Sequence, residues 1–191
     1  MPMLWSSFRN RLGFAFFFAA GLLAFFSDWQ RPSLLVWISA IHNLMLAFLY
    51  ISRKSENRYD RTGLWLGLMA AFLPIPFSPE NPGVLAYLVG LTGYGLIFWS
   101  LLALGPSFGI APADRGLVSV GPYVFVRHPM YLGELLLRAA LMLGAGTLSG
   151  LVPFTILAFI QLIRIQREEK IIQGYEFYAR QVPWRLIPLV Y

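Results

Sequence analysis

The sequence predicts an all-α, polytopic transmembrane helical bundle of five to six spans. Three observations lead there. Hydrophobic residues fill 58% of the 191 positions and charged ones 13%, against about 45–50% and about 25% in soluble domains. That leaves too little polar surface to cover a globule. The apolar residues also fall in long runs divided by short basic loops, and the basic residues sort to one side of the runs, as the positive-inside rule describes.

In chain order the runs lie near Leu12 to Phe26, Ser33 to Ile51, Thr62 to Phe77, Val84 to Leu104, Tyr131 to Thr147 and Leu151 to Ile163. A full crossing takes about 20 residues. The first, third and last runs are shorter than that, and the last two are compatible with a hairpin that stops short of a full crossing. Pro74 and Pro76 should kink or end the third helix, because proline removes a helical donor and clashes with the preceding turn. Arg9 and Arg11 ahead of an apolar run resemble a signal peptide. Phe25 and Phe26 stand where a small-x-small cleavage site would be needed, so the first helix is expected to remain uncleaved.

Six spans put Arg9 and Arg11, then Arg53, Lys54, Arg58 and Arg61, then Arg115 and Arg127, then Arg164, Arg167, Lys170, Arg180 and Arg185 on one side, 13 of the 15 basic residues. Arg31 alone falls on the other side and Arg138 lies within a span. Both termini and the loop 105–130 are therefore expected in the cytoplasm. The net charge of +6 is an orientation signal and not a nucleic-acid surface, since it is spread between runs with no single patch.

With no cysteine, disulfides, thiolate metal ligands and a cysteine nucleophile are excluded. His42 and His128 are the only histidines, too few for a multi-histidine metal site, and no metal is expected. His42 beside Asn43 reads as a helix–helix hydrogen-bonding pair. Trp5, Trp29, Tyr50, Tyr59, Trp65 and Trp99 near span ends read as interfacial belts, and Gly13, Gly21, Gly63 and Gly67 as points of close helix approach. The chain is expected to form one integral membrane domain over 1–191 with two characters. Residues 1–104 are spans nearly free of ionisable groups, and 105–191 hold a polar loop, a helical hairpin and a polar tail. Chemistry belongs in the second part.

Three clusters could carry it: GLVSVGPYVFVRHPMYLGE from Gly116 to Glu134, RIQREEK from Arg164 to Lys170, and YEFYARQVPWRLIPLVY from Tyr175 to Tyr191. Pro129 should hold His128 just outside the helix that follows. On that helix Tyr131, Glu134 and Arg138 share a face. Glu134 and Arg138, an opposite-charge pair within a span, either lock two helices together or line a ligand cavity. Arg164 and Glu168 meet on one face at i, i+4, with Glu169 turned about 100° away. That stretch reads either as a helix end snorkelling at the headgroups or as part of a site.

The order GPYVFVRHPMYLG, a hairpin, REE, then YxxYxxxVPWRLIP strongly resembles the isoprenylcysteine carboxyl methyltransferase family, including its short bacterial members, and more distantly the phospholipid N-methyltransferases. The resemblance covers about residues 100 to 191. It implies a methyltransferase of the bacterial inner membrane, with S-adenosylmethionine held in a cytoplasmic cofactor pocket built from the C-terminal half and a lipophilic small molecule or lipid arriving from the bilayer. Carried over by position, the cofactor contacts are Arg115, Gly116, Leu117, Val118, Tyr123, His128, Pro129, Met130, Tyr131 and Glu168. Arg164 and Glu168 are the catalytic pair, with Arg164 facing the acceptor. Some family members carry a histidine where Arg115 stands.

Two other readings are weighed beside it. The NADPH-dependent sterol and steroid reductases have similar C-terminal halves, including a VPxRxIP-like tail. This chain is short for that group, and its REE helix favours the methyltransferase. A non-enzymatic scaffold or transporter subunit ranks third, because few ionisable groups in the spans could form a polar pathway. The acceptor and the oligomeric state stay open.

Overall fold

The computed structural model describes residues 2–27, 34–56, 58–72, 83–145 and 150–190. Among them are seven α-helices: α1 (Pro2–Ser27), α2 (Leu34–Ile51), α3 (Arg61–Phe72), α4 (Val84–Leu104), α5 (Pro129–Ala145), α6 (Leu151–Ile171) and α7 (Tyr175–Gln181). Two 3-10 turns, Gly105–Ser107 and Gly121–Val124, lie between α4 and α5. The expected runs correspond to α1 through α6. Ser33, Pro74, Pro76, Phe77 and Thr147, with Trp29 and Arg31, lie outside the described residues.

Two described stretches, Phe8–Phe26 and Val84–Ser107, are long and apolar enough to cross a bilayer, and Trp37–Ile51 is a shorter apolar helix. The reason α5 and α6 differ is visible in their residues. Glu134 and Arg138 interrupt α5, and the apolar part of α6 stops at Ile163 before Arg164, Arg167, Glu168, Glu169 and Lys170.

The chain divides into two compact units, Met1–Ser55 with Leu104–Gly109 and Glu56–Ala103 with Ile110–Tyr191. In the first, α1 packs along α2. Gly13 makes this possible: a Cβ there would lie 2.0 Å from the Tyr50 ring, which Phe17 also meets at a centroid distance of 5.4 Å. At the polar end Arg53 donates to Asn10 Oδ1 at 2.5 Å and covers the Tyr50 ring. The Asn43 amide donates to the Ser39 carbonyl of its own helix at 2.9 Å, so that bond stays within α2. Outward positions such as Leu23, Phe26 and Phe48 are exposed, a surface suited to lipid and costly in water.

In the second unit, α4 and α5 cross where two glycines face each other. A Cβ on Gly93 would lie 2.8 Å from the Leu137 nitrogen and 2.9 Å from the Gly133 oxygen. Ala70, Leu157 and Ile160 form an apolar cluster between α3 and α6, joined by Leu66 and Leu135. The Gly63 and Gly67 face of α3 receives a loop and not a helix, since added Cβ atoms would strike Pro112 and Ile110. That loop runs into β2 (Ala113–Asp114), which pairs antiparallel with β1 (Arg58–Tyr59), an element beyond the all-helical expectation. The tail folds back so that Leu186 packs with Tyr131 and Ile165.

Candidate functional site

His128 directly precedes α5, whose first residue is Pro129, a position where the missing proline N–H costs nothing. The imidazole is thereby fixed at the helix entrance. The His128 backbone N–H donates to the Arg185 carbonyl and the Arg127 N–H to the Trp184 carbonyl, both at 2.8 Å. The tail thus pairs along the loop like a short strand. Tyr178 adds a hydroxyl bond to the Tyr123 carbonyl at 2.6 Å.

The two adjacent glutamates of α6 have separate fates. Glu169 Oε1 lies 3.0 Å from Arg127 Nη1 and 3.3 Å from His128 Nε2. Its two oxygens take 2.9 Å bonds from Arg185 Nε and Nη2. Its side chain is 13% exposed. Burial by itself would raise this carboxyl, but the hydrogen bonds from His128 and Arg185 and the charge of Arg127 prevail and hold it at about 2. Glu168, by contrast, is 29% exposed. Its Oε2 accepts from the Tyr131 hydroxyl at 2.8 Å and lies 3.9 Å from His128 Nδ1. Among the described residues no hydrogen bond reaches its Oε1.

Aromatic rings connect the two glutamates. His128 stacks on Tyr131 at 5.6 Å and 13° on one side, and on Tyr175 at 6.1 Å and 25° on the other. The Tyr175 hydroxyl lies 2.9 Å from His128 Nε2. Burial, reinforced by the charges of Glu169 and Glu168, raises the Tyr175 phenol. Burial and then the Glu168 charge do the same at Tyr123, and burial raises Tyr178. These hydroxyls keep their protons, and that of Tyr178 donates to the Tyr123 carbonyl.

Arg164 is enclosed, with its side chain 4% exposed. Nη1 donates to Gln161 Oε1 at 2.8 Å, Nη2 donates to the Ile110 carbonyl at 3.0 Å, and the guanidinium covers the Tyr131 ring at 4.7 Å. Glu134 of α5 turns to α6, where Gln161 Nε2 donates to its Oε2 and Arg164 Nη1 lies 3.8 Å away. Of the residues named from sequence, His128, Tyr131, Arg164 and Glu168 are therefore joined directly. Pro129 and Met130 lie between His128 and Tyr131 in the chain, and Tyr123 is coupled to Glu168 through charge.

Arg115 and Gly116 take their bonds beside the β1–β2 ladder. Arg115 Nη2 pairs with Glu56 at 3.2 Å, and the Gly116 N–H donates to Asp114 Oδ1 at 3.2 Å. Gly116 has φ +92, and a Cβ there would meet nothing within 4 Å. Leu117 and Val118 follow in an irregular stretch, and β2 packs against α6. Arg167 fixes the ladder's near end through a paired bond to Asp60. Sequence reasoning gave no roles to Glu169, Arg127, Arg185 or Tyr175. Their side-chain partners lie 16 to 56 positions apart, beyond the reach of any local spacing.

A family model, phospholipid methyltransferase, matches residues 81–179. The chain belongs to the phospholipid methyltransferase family. The match takes in α4, α5, α6, most of α7 and the loop between α4 and α5, so it includes each site residue discussed above except Glu56, Asp60, Trp184 and Arg185. It lands on the family that the motifs resembled more distantly. The match and the two described helices long and apolar enough to cross a bilayer fit a membrane protein. The chain is also 34% identical over 85 residues to the Delta(14)-sterol reductase TM7SF2 of Mus musculus. That match covers 40% of this chain and 20% of the reductase, so the chain spans about a fifth of that relative's length.

Proposed function

We propose that the protein is a multi-pass membrane methyltransferase that uses S-adenosylmethionine and methylates a lipophilic acceptor, either an isoprenylcysteine-like carboxylate or a phospholipid-like amine. The observation that carries this is the division between the two glutamates: Glu169 is engaged by Arg127, Arg185 and His128, whereas Glu168 is 29% exposed and accepts a hydrogen bond from Tyr131. The residues fit such a cofactor. An open carboxylate suits hydroxyl, amino and cationic groups, and the stacked His128 and Tyr131 rings suit an adenine or a sulfonium. The reading assigns Arg115, Gly116, Leu117, Val118, Tyr123, Pro129 and Met130 to the cofactor as well.

S-adenosylmethionine supplies a methyl already activated on a positively charged sulfur. The protein is left with alignment and exclusion of water. Tyr131 orients Glu168 by its hydroxyl and supports Arg164 by its ring, tying the donor side to the acceptor side through one residue. The distribution of basic residues favours both termini and this site on the cytoplasmic side, and the six apolar runs of the sequence favour five to six spans.

Calorimetry on the detergent-purified protein with S-adenosylmethionine, its demethylated product and NADPH tests this reading. Binding of the first two, lost in His128→Ala and weakened in Glu168→Gln, is expected. The match to a Delta(14)-sterol reductase supports a second reading as an NADPH-dependent reductase, and binding of NADPH alone would establish it in place of the first.

A further inference from the structure

We infer that the turn from Val120 to Phe125 is a membrane-inserted wedge, whose apolar outer face sits among lipid at the acyl boundary of the headgroup layer, beside the end of α4. This goes beyond the methyltransferase reading and does not depend on it. It requires only that α4 be a span.

From Gly116 to Val126 the chain reads GLVSVGPYVFV, a run without a single charge. The charges that bound it turn inward. Arg115 pairs with Glu56 and Arg127 with Glu169, and both arginines are buried. The residues of the turn divide between two faces: Pro122, Tyr123 and Val126 are buried, whereas Val120, Val124 and Phe125 are 59%, 51% and 60% exposed. Clustered exposed apolar side chains mark an interaction surface.

The position of the turn says which partner covers it. Gly121, with φ +62, turns the chain back against α4, where a Cβ on it would lie 3.0 Å from the Ala103 Cβ and 3.3 Å from Trp99 Nε1. The Phe125 ring lies 6.1 Å from the Trp99 ring. Trp99 precedes the last residue of α4 by five positions, about 7.5 Å of helix. The stretch Val84–Ser107 is long and apolar enough to cross a bilayer, so Phe125 stands level with its apolar part and not with the water beyond it. Trp99 and Leu102, which share a helix face by spacing, are 48% and 72% exposed, and tryptophan is typical of the headgroup boundary. The exposed face of the span therefore continues onto the turn. A second copy of the chain could reach this face only by displacing lipid from α4.

Backbone that enters lipid must satisfy its own polar groups, and this turn does so. The Tyr123 N–H donates to the Val120 carbonyl at 3.3 Å, and the Phe125 and Val126 N–H groups donate to the Pro122 carbonyl at 3.2 and 3.4 Å. Pro122 has no N–H to place. The Tyr123 carbonyl accepts from the Tyr178 hydroxyl. These groups are not stranded when the turn leaves water.

The chain has no cysteine, so Val120→Cys, Val124→Cys and Phe125→Cys each offer a single labelling site, with Glu176→Cys at an exposed position for comparison. Each full chain is labelled with bimane, a polarity-sensitive fluorophore, and reconstituted in vesicles of phosphatidylcholine and phosphatidylglycerol. At the three turn positions we expect blue-shifted emission, quenching by lipid with a nitroxide on its acyl chain, and protection from aqueous iodide. The reverse is expected at Glu176. Quenching of the turn by iodide and not by nitroxide would place it in water and overturn the inference. Blue-shifted emission that neither quencher reaches would overturn it in favour of a protein contact, with a second copy if the shift fades as the protein is diluted in lipid. A parallel measurement needs no substitution and so holds even where a variant fails to fold. In vesicles containing lipid with a diazirine on its acyl chain, photolysis of the unaltered protein should attach lipid to the tryptic peptide 116–127. Absence of label there, with peptide 62–115 containing α4 labelled, would overturn the inference, and absence from both would remove α4 as a span and the inference with it.

Discussion

Glu169 grips Arg185 through two parallel bonds, Nε to Oε1 and Nη2 to Oε2, each 2.9 Å long. Sixteen positions separate the two residues, and the pairing fastens the tail to the end of α6. Paired geometry of this kind is the strong form of the arginine–carboxylate interaction. Because Arg127 and His128 meet the same carboxylate, its loss strands two guanidinium groups and takes a partner from His128. Removing one member of a buried charge cluster typically costs about 3–5 kcal/mol. Glu169→Ala is therefore expected to lower the thermal unfolding midpoint in detergent markedly and to expose the bonds after Arg180 and Arg185 to trypsin, whereas Glu176→Ala, at an exposed position, should change neither.

The same cluster sets a pH dependence. Folding holds the Glu169 carboxyl at about 2, below its ordinary 4.5. A carboxylate depressed by folding contributes stability that is fully present above the ordinary value and disappears as pH falls through the folded one. The stability difference between the unaltered protein and Glu169→Gln should thus be constant above about pH 5 and close between about pH 4.5 and about pH 2. Thermal midpoints measured across that window check it. A difference that closed at neutral pH instead would place the titration elsewhere.

How far the sequence was readable follows the range of the interactions. Apolar runs and proline positions are local, and α1, α2, α4 and the entrance of α5 at Pro129 lie where they indicate. The ordered motifs from Gly121 to Pro188 pointed towards the group whose family model matches residues 81–179. Partner choice was not readable. Glu134 and Arg138 look paired at i, i+4, yet Glu134 is held by Gln161 across the hairpin. Gly63 and Gly67 look like a helix-packing face, yet they admit Ile110 and Pro112. The crossing that does rest on glycines, Gly93 against Gly133, is 40 positions apart and has no signature in either helix alone.

That crossing gives a sharp expectation. A methyl group at Gly93 would meet the backbone of α5 at two points, 2.8 Å and 2.9 Å away, and backbone cannot rotate aside as a side chain can. The helices must separate. Overpacking of this sort costs about 1–3 kcal/mol, so Gly93→Ala should destabilise the protein by about that much in a denaturation series. Gly95→Ala, where an added Cβ meets nothing within 4 Å, should be tolerated or slightly stabilising, because alanine favours the helix.

Tyr131 allows the orienting role to be separated from packing. Tyr131→Phe keeps a ring beneath Arg164, and so keeps the cation–π contact at 4.7 Å, but deletes the hydroxyl that donates to Glu168 at 2.8 Å. Glu168 is partly exposed, so water replaces some of what is lost and the fold should persist with little change in thermal midpoint. The carboxylate would then sample more orientations, and binding would have to restore the single one that engages a ligand. A loss of about 1.4 kcal/mol corresponds to a tenfold change in affinity, and a weakening of that size for S-adenosylmethionine is expected by calorimetry. Tyr131→Ala removes ring and hydroxyl together, uncovering Arg164 as well, and should reduce both cofactor affinity and stability. Equal cofactor affinity in Tyr131→Phe and the unaltered protein would show that Glu168 is oriented without its tyrosine, leaving the ring as the part that matters.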